Sequence, residues 1–466
     1  MTADYSQDDT IAAIATPPGH GGVGIVRLSG GRSLELAAKM FVSMRPNFSG
    51  LKPYRLHHGW LRDASGRELD KVLAAYMPGP GSYTGQDVVE FHCHGSPAVL
   101  RAAVEAAVAL GARPAEPGEF TKRAFLAGKM DLSQAQAVAE LIAAPSRAGV
   151  GLALSRLEGL MGRRVSELRS RLEGLRAKLC LAVDFPEEEM ECLEPEIFHG
   201  ELRQVMEDID RLVAAHDRAK PFREGGLAVL AGPVNAGKSS LLNALLGRER
   251  AIVSHVPGTT RDYLEEGLDL AGLAVRLADT AGLRESPDPV EREGLARSRA
   301  LVAQADLVLL VLDGSQDFDP GHLEDLRSVT PLEPGRVLAV VNKADLPQSA
   351  RDPGEYLKES NLDLVRVSAR TGQGLEELVR LAGEKLLARA EGLPADQPAP
   401  NLRERSLLRQ AWLELAALDQ DLVDNLPPDL LGVRLETACA LLAGITGEIT
   451  ASEVLEAIFR NFCIGK

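Results

Sequence analysis

No long hydrophobic run interrupts the 466-residue sequence. The longest clear apolar stretch in its middle, residues 307–312, is far short of the ~20 residues that span a bilayer. No N-terminal stretch places a basic region before a long apolar core, so no secretory signal is expected. These absences predict a soluble, cytoplasmic protein with no membrane partner. Cysteine is scarce. Cys93, Cys180, Cys192, Cys439 and Cys463 are odd in number and fit no CxxC zinc spacing. Free thiols in a reducing compartment are expected. Internal repeats and low-complexity tracts are missing too, so no repeat architecture is expected. Positive charge is in deficit: 52 Lys+Arg stand against 67 Asp+Glu, for a net charge of −15. Such a chain is not held to nucleic acid by a general positive field.

What is present is an ordinary globular composition, 45% hydrophobic and 26% charged, which excludes a disordered, collagen-like or disulfide-scaffold chain. Its length predicts two to four domains. Residues 1–118 mix short strand-like runs, 23–28 and 87–92, with turn signals and an Ala-rich helical stretch at 96–110, and read as a small α+β domain. From 119 to 222 apolar residues recur at three- and four-residue spacing, with Asp131 and Gln134 reading as a helix cap and its partner. Residues 223–385 alternate strands (227–231, 274–278, 307–312, 336–341, 364–367) with helices (238–246, 375–387), predicting a mostly parallel sheet covered on both faces. Three prolines mark 391–400 as a linker. Residues 401–425 and 430–462 return to helical patterning. The expected fold class is therefore multidomain α/β, with an α/β unit inserted between two halves (119–222 and 386–466) of one helical domain.

The chemistry-bearing motifs lie at the strand ends of that insert. Gly232 to Ser239 fits GxxxxGKS/T between a strand and a helix. Its glycines let backbone N–H groups face phosphate oxygens, and the helix N-terminus adds its dipole. Lys238 reaches the β- and γ-phosphates, and the Ser239 hydroxyl ligates Mg2+. Asp279-Thr280-Ala281-Gly282 ends the next strand, where the Asp holds Mg2+ through water and the Gly282 N–H senses the γ-phosphate. In Asn342-Lys343-Ala344-Asp345 the final carboxylate can accept from N1–H and N2–H of guanine, a pair adenine lacks. Ser368-Ala369-Arg370 supports guanine O6 through backbone N–H. Together these predict a GTPase.

Leu283 stands where a water-orienting glutamine would follow Gly282, so catalysis needs another device. Asn235 is either an ordinary turn residue or an oxygen donor to a monovalent cation beside the phosphates. A Thr in the segment from Ser254 to Arg261 can complete the Mg2+ shell. Glu291 is either a water-ordering carboxylate or, as spacing alone favours, a solvated helix-face residue. Cys463 lies four residues from the end, but Gly465 and Lys466 make a poor prenylation box. It is either a reactive thiol or an inert one.

With these residues in view, the chain resembles the MnmE (TrmE) family of tRNA-modification GTPases, potassium-activated G proteins of the TrmE-Era-Era-like-YihA-YfiA type. The resemblance rests on residues 16–27, 117–125, 184–188, 232–240 and 258–262 and on the terminal Cys463-Ile-Gly-Lys466. It departs at His20, where relatives can carry arginine. The resemblance implies an N-terminal domain that dimerises and binds a tetrahydrofolate derivative (5-formyl- or methylene-tetrahydrofolate), with contacts falling on Arg27, Glu90, Lys129 and Lys466. It implies GTP binding by Asn235, Ala236, Gly237, Lys238, Ser239 and Ser240, by Ser254, His255, Val256, Pro257, Gly258, Thr259 and Thr260, and by the three later motifs. Potassium would be surrounded by Asn235, Ser254, Val256 and Thr259, and Mg2+ held by Ser239 and Thr260. Glu291 falls on the catalytic glutamate, which reverses the reading from spacing, and Cys463 on the functional cysteine.

The implied activity is installation of a (carboxymethyl)aminomethyl group at C5 of the wobble uridine of certain tRNAs. The implied partner is an FAD-carrying MnmG-like protein in a heterotetramer or larger, with FAD on the partner. The alternative reading is a GTP-switched binding module for RNA or ribosome assembly. It accounts for 223–385 but not for the N-terminal block or the terminal tetrapeptide.

Overall fold

The computed structural model describes residues 9–184, 195–248, 266–270, 273–279, 298–333, 335–349, 351, 353–390, 398–424 and 426–465. The chain forms two compact units. One comprises Met1–Ala139, Gly162–Ser170 and Cys439–Lys466; the other comprises Glu140–Met161 and Arg171–Ala438.

In the first unit, β1 (Ile11–Ile14), β2 (Gly21–Ser29), β3 (Phe41–Ser43), β4 (Leu56–Arg62), β5 (Glu68–Met77), β6 (Val88–Gly95) and β7 (Arg113–Pro114) form one sheet. Its order is β3-β4-β5-β6-β2-β1-β7, antiparallel throughout except for the β1–β7 pair. The sequence pattern anticipates β2 and β6. The other five are short or carry charges and alanines in place of a clear alternation. Val26, Leu28, Val89 and Phe91 share a core with Leu36 and Met40 of α1 (Ser33–Met40) and Leu100 and Ala103 of α2 (Pro97–Ala109). Strand residues alternate between faces, so the register partners Arg27 and Glu90 project from the opposite face.

Helices follow: α3 (Glu119–Leu126), α4 (Leu132–Ala143), α5 (Arg147–Leu157), α6 (Leu160–Asp184) and α7 (Pro195–Glu224). The expected cap of α4 is present. Gln134 N–H donates to Asp131 Oδ1 at 2.8 Å, and Asp131 N–H to Gln134 Oε1 at 2.9 Å. In α7, Phe198, Leu202, Val205, Ile209 and Leu212 form a buried stripe at helical spacing. Gly225, with φ +80°, is the sole residue between α7 and the next strand.

That strand, β8 (Gly226–Ala231), opens a six-stranded sheet with α8 (Lys238–Arg248), β9 (Glu266–Leu270), β10 (Leu273–Asp279), β11 (Leu307–Asp313), α9 (Gly321–Arg327), β12 (Val337–Asn342), α10 (Pro353–Glu359), β13 (Asp363–Arg366) and α11 (Leu375–Ala390). The order is β13-β12-β11-β8-β10-β9, parallel except that β9 runs against β10. Burial on both faces explains the unbroken apolar text of β11. Leu307, Leu309 and Val311 join one core with Leu241 of α8 and Leu378 of α11; Val308, Leu310 and Leu312 join another with Leu326 of α9 and Leu357 of α10.

Two expectations change beyond this sheet. The end of the expected linker is packed: Pro398, Ala399 and Pro400 are buried. They lead into α12 (Leu402–Val423), which packs along α7. The helical pattern over 430–462 is broken into α13 (Pro428–Thr446) and α14 (Ser452–Phe459). Gly447 lies at the break with φ +87°, and a β-carbon there would approach the Phe125 ring at 2.8 Å and Leu132 Cβ at 2.9 Å. The turn lets Phe459 and Phe462 reach Phe125 and Leu132 in the first unit's core.

Candidate functional site

The phosphate loop leaves β8 at Gly232, with φ +138°, where a β-carbon would fall on the Val311 carbonyl oxygen. Gly237, with φ +90°, faces the Asn342 amide in the same way. Only glycine meets both demands. Lys238 is 9% exposed, and its ammonium donates to the carbonyls of Gly232 at 3.0 Å and Pro233 at 2.8 Å. Burial pushes its pKa down, against the nearby Asp279 charge. Asn235 is exposed at φ +63°, and no hydrogen bond engages its side chain among the described residues. Ser239 and Ser240 are exposed in the first turn of α8.

Ser239 Oγ donates to Asp279 Oδ2 at 2.6 Å. Among the described residues, Asp279 Oδ1 is buried without a hydrogen-bond partner. Two of the expected metal-handling residues are thus brought together with one acceptor oxygen to spare.

Asn342 ties the base-side motifs to the loop. Its Nδ2 donates to the Ala236 carbonyl at 3.0 Å, and its Oδ1 accepts from Ala369 N–H at 3.1 Å. Ser368 Oγ donates to Asp345 Oδ1 at 2.7 Å and accepts from Thr371 N–H at 3.1 Å. Ala344 N–H donates to Val367 O at 3.0 Å. Arg370 is exposed. Sequence reasoning missed Asp313, whose Oδ2 accepts from Lys343 Nζ at 2.6 Å. Its signal was an acidic residue at the carboxyl end of a buried parallel strand, the edge at which ligands bind in open α/β sheets.

A second constellation lies in the first unit. Arg27 Nε donates to Glu90 Oε1 at 2.7 Å, Arg27 Nη1 donates to the Gly465 carbonyl at 3.1 Å, and the guanidinium lies 5.5 Å from the Phe120 ring centroid. Glu90 Oε2 is 3.4 Å from His92 Nε2. The terminal segment is seated by an Ile464–Pro117 bridge and by Gly118 N–H on Cys463 O at 3.3 Å. Cys463 is exposed. Lys129 Nζ donates to Pro80 O at 2.7 Å, so its partner is the turn before Tyr83 and not the Arg27–Glu90 pair. Residues 117–125 prove largely architectural: Glu119 pairs with Arg113 and Arg123, and Thr121 Oγ1 lies 3.0 Å from Tyr83 Oη.

Ser254, His255, Val256, Pro257, Gly258, Thr259, Thr260, Thr280, Ala281, Gly282, Leu283, Glu291 and Lys466 lie outside the described residues.

Comparison with known proteins matches residues 10–129 to the family model for the GTP-binding protein TrmE N-terminus and residues 132–463 to that for the MnmE helical domain. A tRNA modification GTPase MnmE of Nitratidesulfovibrio vulgaris is 53% identical over 98% of this chain and 99% of its own length. Those of Lawsonia intracellularis, at 45% over 98% and 100%, and Thermus thermophilus, at 44% over 98% and 99%, are also similar. Among solved structures, Era of Aquifex aeolicus bound to GDP·AlF4− is 27% identical over 41% of this chain and 66% of that one, with a TM-score of 0.29. The full-length identity and the two family models agree with a phosphate loop, a guanine-side motif set and a helical frame found in one chain, and on these grounds the chain belongs to the MnmE (TrmE) family of tRNA modification GTPases, GTP hydrolases that act in tRNA modification.

Proposed function

We propose that this GTPase is potassium-activated and acts as a cytoplasmic homodimer with an FAD-carrying MnmG-like protein, in a heterotetramer or larger assembly. The pair would add a (carboxymethyl)aminomethyl group at C5 of the wobble uridine of certain tRNAs, with a tetrahydrofolate derivative as one-carbon donor. The observation that carries this reading is the seating of the chain terminus against the Arg27–Glu90 pair. A nucleotide switch alone has no need of such a seat.

The residues suit the groups they would hold. Glu90 offers an acceptor to a pterin N–H edge, and Arg27, bonded to Glu90 at 2.7 Å, would orient that carboxylate at the same end of the cofactor; Lys129 and Lys466 would add charge. Mg2+ would be held by Ser239 and Thr260, and the partnerless Asp279 Oδ1 fits a site that holds the ion's water. Among the described residues nothing engages the Asn235 side-chain oxygen, which suits a potassium ligand, and Ser254, Val256 and Thr259 would complete the set. When bound, the two cations supply positive charge where it accumulates on the phosphates. Lys238 would exchange its loop carbonyls for β- and γ-phosphate oxygens. Asp345 would read guanine, and Glu291 would order the attacking water that Leu283 cannot. GTP hydrolysis would drive rearrangement of the nucleotide domain and not bond formation at uridine. With a net charge of −15, tRNA contacts should be local and salt-sensitive.

Mass spectrometry of wobble uridine from cells lacking the protein tests the modification, and the modified nucleoside should disappear. Unchanged nucleosides would refute it. GTP turnover in K+ against Na+, with and without Asn235→Ala, tests the cation. Equal rates in both salts would remove potassium from the mechanism.

A further inference from the structure

Asp313 ends β11, and its register partner on β12 is Asn342, the residue before Lys343. Its side chain is 8% exposed, yet it is a carboxylate at the mouth of the nucleotide site. Three hydrogen bonds fix it: Oδ1 accepts from Ser315 N–H at 3.0 Å and Ser315 Oγ–H at 2.6 Å, and Oδ2 from Lys343 Nζ at 2.6 Å. Burial pushes its pKa up, but the Lys343 and Ser315 hydrogen bonds outweigh burial and the net shift is downward. The carboxylate is therefore ionised at neutral pH. Lys343 is held in turn at φ +63°, a backbone region that non-glycine residues seldom occupy. Its carbonyl accepts from Gln348 Nε2 at 3.2 Å. A lysine side chain is otherwise among the most mobile, with a large rotamer entropy to lose.

We propose that Asp313 is a positioning residue for base recognition. It takes the Lys343 ammonium so that the lysine's four-carbon stem stands as a fixed apolar wall for the face of the base whose edge Asp345 reads. Edge and face recognition are thereby divided between two carboxylates. Asp345 distinguishes guanine from other purines, whereas Asp313 acts through Lys343 and is indifferent to the groups on the base edge. This inference rests on the reading of residues 342–345 as a guanine site.

The test uses equilibrium binding of GDP, IDP and XDP to the full chain. Asp313→Asn should weaken GDP and IDP alike by roughly tenfold, the scale of one charge-assisted hydrogen bond, and leave their ratio unchanged. In a Lys343→Ala background, Asp313→Asn should add no further loss. GTP turnover by Asp313→Asn should show a raised KM with kcat within about twofold, because face contacts are made in ground and transition states equally. Wild-type affinity in Asp313→Asn, a changed GDP:IDP ratio, or a loss that persists without Lys343 would each overturn the proposal. Asp345→Asn separates the two levels, since its carboxamide can donate to the xanthine C2 carbonyl. A shift from GDP to XDP upholds the guanine site, so that a silent Asp313 then refutes the inference alone. No shift refutes the guanine reading together with the inference built on it.

Discussion

Arg156 and Glu404 are both fully buried, and Arg156 Nη2 donates to Glu404 Oε1 at 2.7 Å. Glu140 accepts from Arg156 Nη1. Glu404 also caps a helix, since its Oε2 accepts from Asn401 N–H at 2.8 Å while its own N–H donates to Asn401 Oδ1 at 2.9 Å. One carboxylate thus starts α12 and neutralises the guanidinium of α5. Breaking a buried pair by removing one partner costs about 3–5 kcal/mol, because a charge is left uncompensated. Glu404→Ala should destabilise the helical portion by no more than that amount, because Glu140 still accepts from Arg156, whereas Arg156→Met with Glu404→Leu should lose less, chiefly the cap. Chemical denaturation followed by circular dichroism reads both. Equal losses in the single and double variants would contradict the buried-charge account.

The loop glycines give a second expectation. At Gly237 an alanine would need φ +90° and would drive its β-carbon into the Asn342 amide. Gly237→Ala should abolish GTP and GDP binding while the thermal transition moves little. Asn342→Ala leaves the Ala236 carbonyl and the Ala369 N–H without their partner, at about 1–3 kcal/mol for each unmade bond. Nucleotide affinity should fall by roughly a hundredfold or more, measurable by calorimetric titration.

His216 supplies a pH dependence. Its Nδ1 donates to the Pro400 carbonyl at 2.8 Å, and Arg223 donates to that carbonyl and, at 3.3 Å, to the ring Nε2. Burial pushes its pKa down; the Pro400 carbonyl opposes this, and Arg223 adds to it. The unfolded chain therefore binds the proton more readily. The stability held by neutral His216 is complete above the unfolded value of about 6.5 and is lost as pH falls from there toward the folded value. Thermal scans between pH 7.5 and 5 should show a decline that His216→Gln makes shallower. An identical slope in that variant would rule His216 out as the source.

Thiol reactivity should divide by burial. Burial, aided by the Asp70 charge, pushes the Cys93 thiol up to about 12, and Cys439 is buried as well. Cys180 and Cys463 are exposed. Brief alkylation of the native protein at neutral pH, read by peptide mass spectrometry, should label Cys180 and Cys463 and spare Cys93 and Cys439 until denaturant is added. Early labelling at Cys93 would show that the β6 core opens far more readily than its packing implies.

Gly465 sets the path of the terminal tail. Gly465 has φ +93°, and a β-carbon there would collide with the Ile14 carbonyl. Gly465→Ala should unseat the segment, accelerate carboxypeptidase trimming and raise hydrogen exchange at Gly118 N–H, which donates to Cys463 O. Unchanged protection at Gly118 would mean that the Ile464–Pro117 bridge holds the tail by itself.

The nucleotide motifs were legible because each is a short contiguous run set by a strand end, where backbone geometry and chemistry make the same demand. Five strands of the six-stranded sheet were legible because buried parallel strands read as apolar blocks; their order was not, and neither was β9, which runs against β10. Asp313 escaped notice because its meaning depends on Lys343, 30 positions away. Arg156 and Glu404 lie 248 positions apart, so neither marks the other in the sequence. The antiparallel sheet was hidden for a related reason: β5 carries Glu68, Asp70 and Lys71 at its solvated start, and its apolar residues become a stripe only once β4 and β6 lie beside it. The break at Gly447 was invisible to periodicity. It is set by the Phe125 ring, which comes from a distant part of the chain.

The junction at Gly225 has a mechanical consequence. α7 has 30 residues, a rod of about 45 Å, and Gly225 alone separates it from the strand that feeds the phosphate loop. A β-carbon on that residue would lie 2.9 Å from the Ala274 carbonyl oxygen, so the pivot is closely packed against β10. A rotation of about 5° there would sweep the Pro195 end of the rod through about 4 Å. Any shift of the strand that feeds the phosphate loop would thus be magnified toward the far end of the helix.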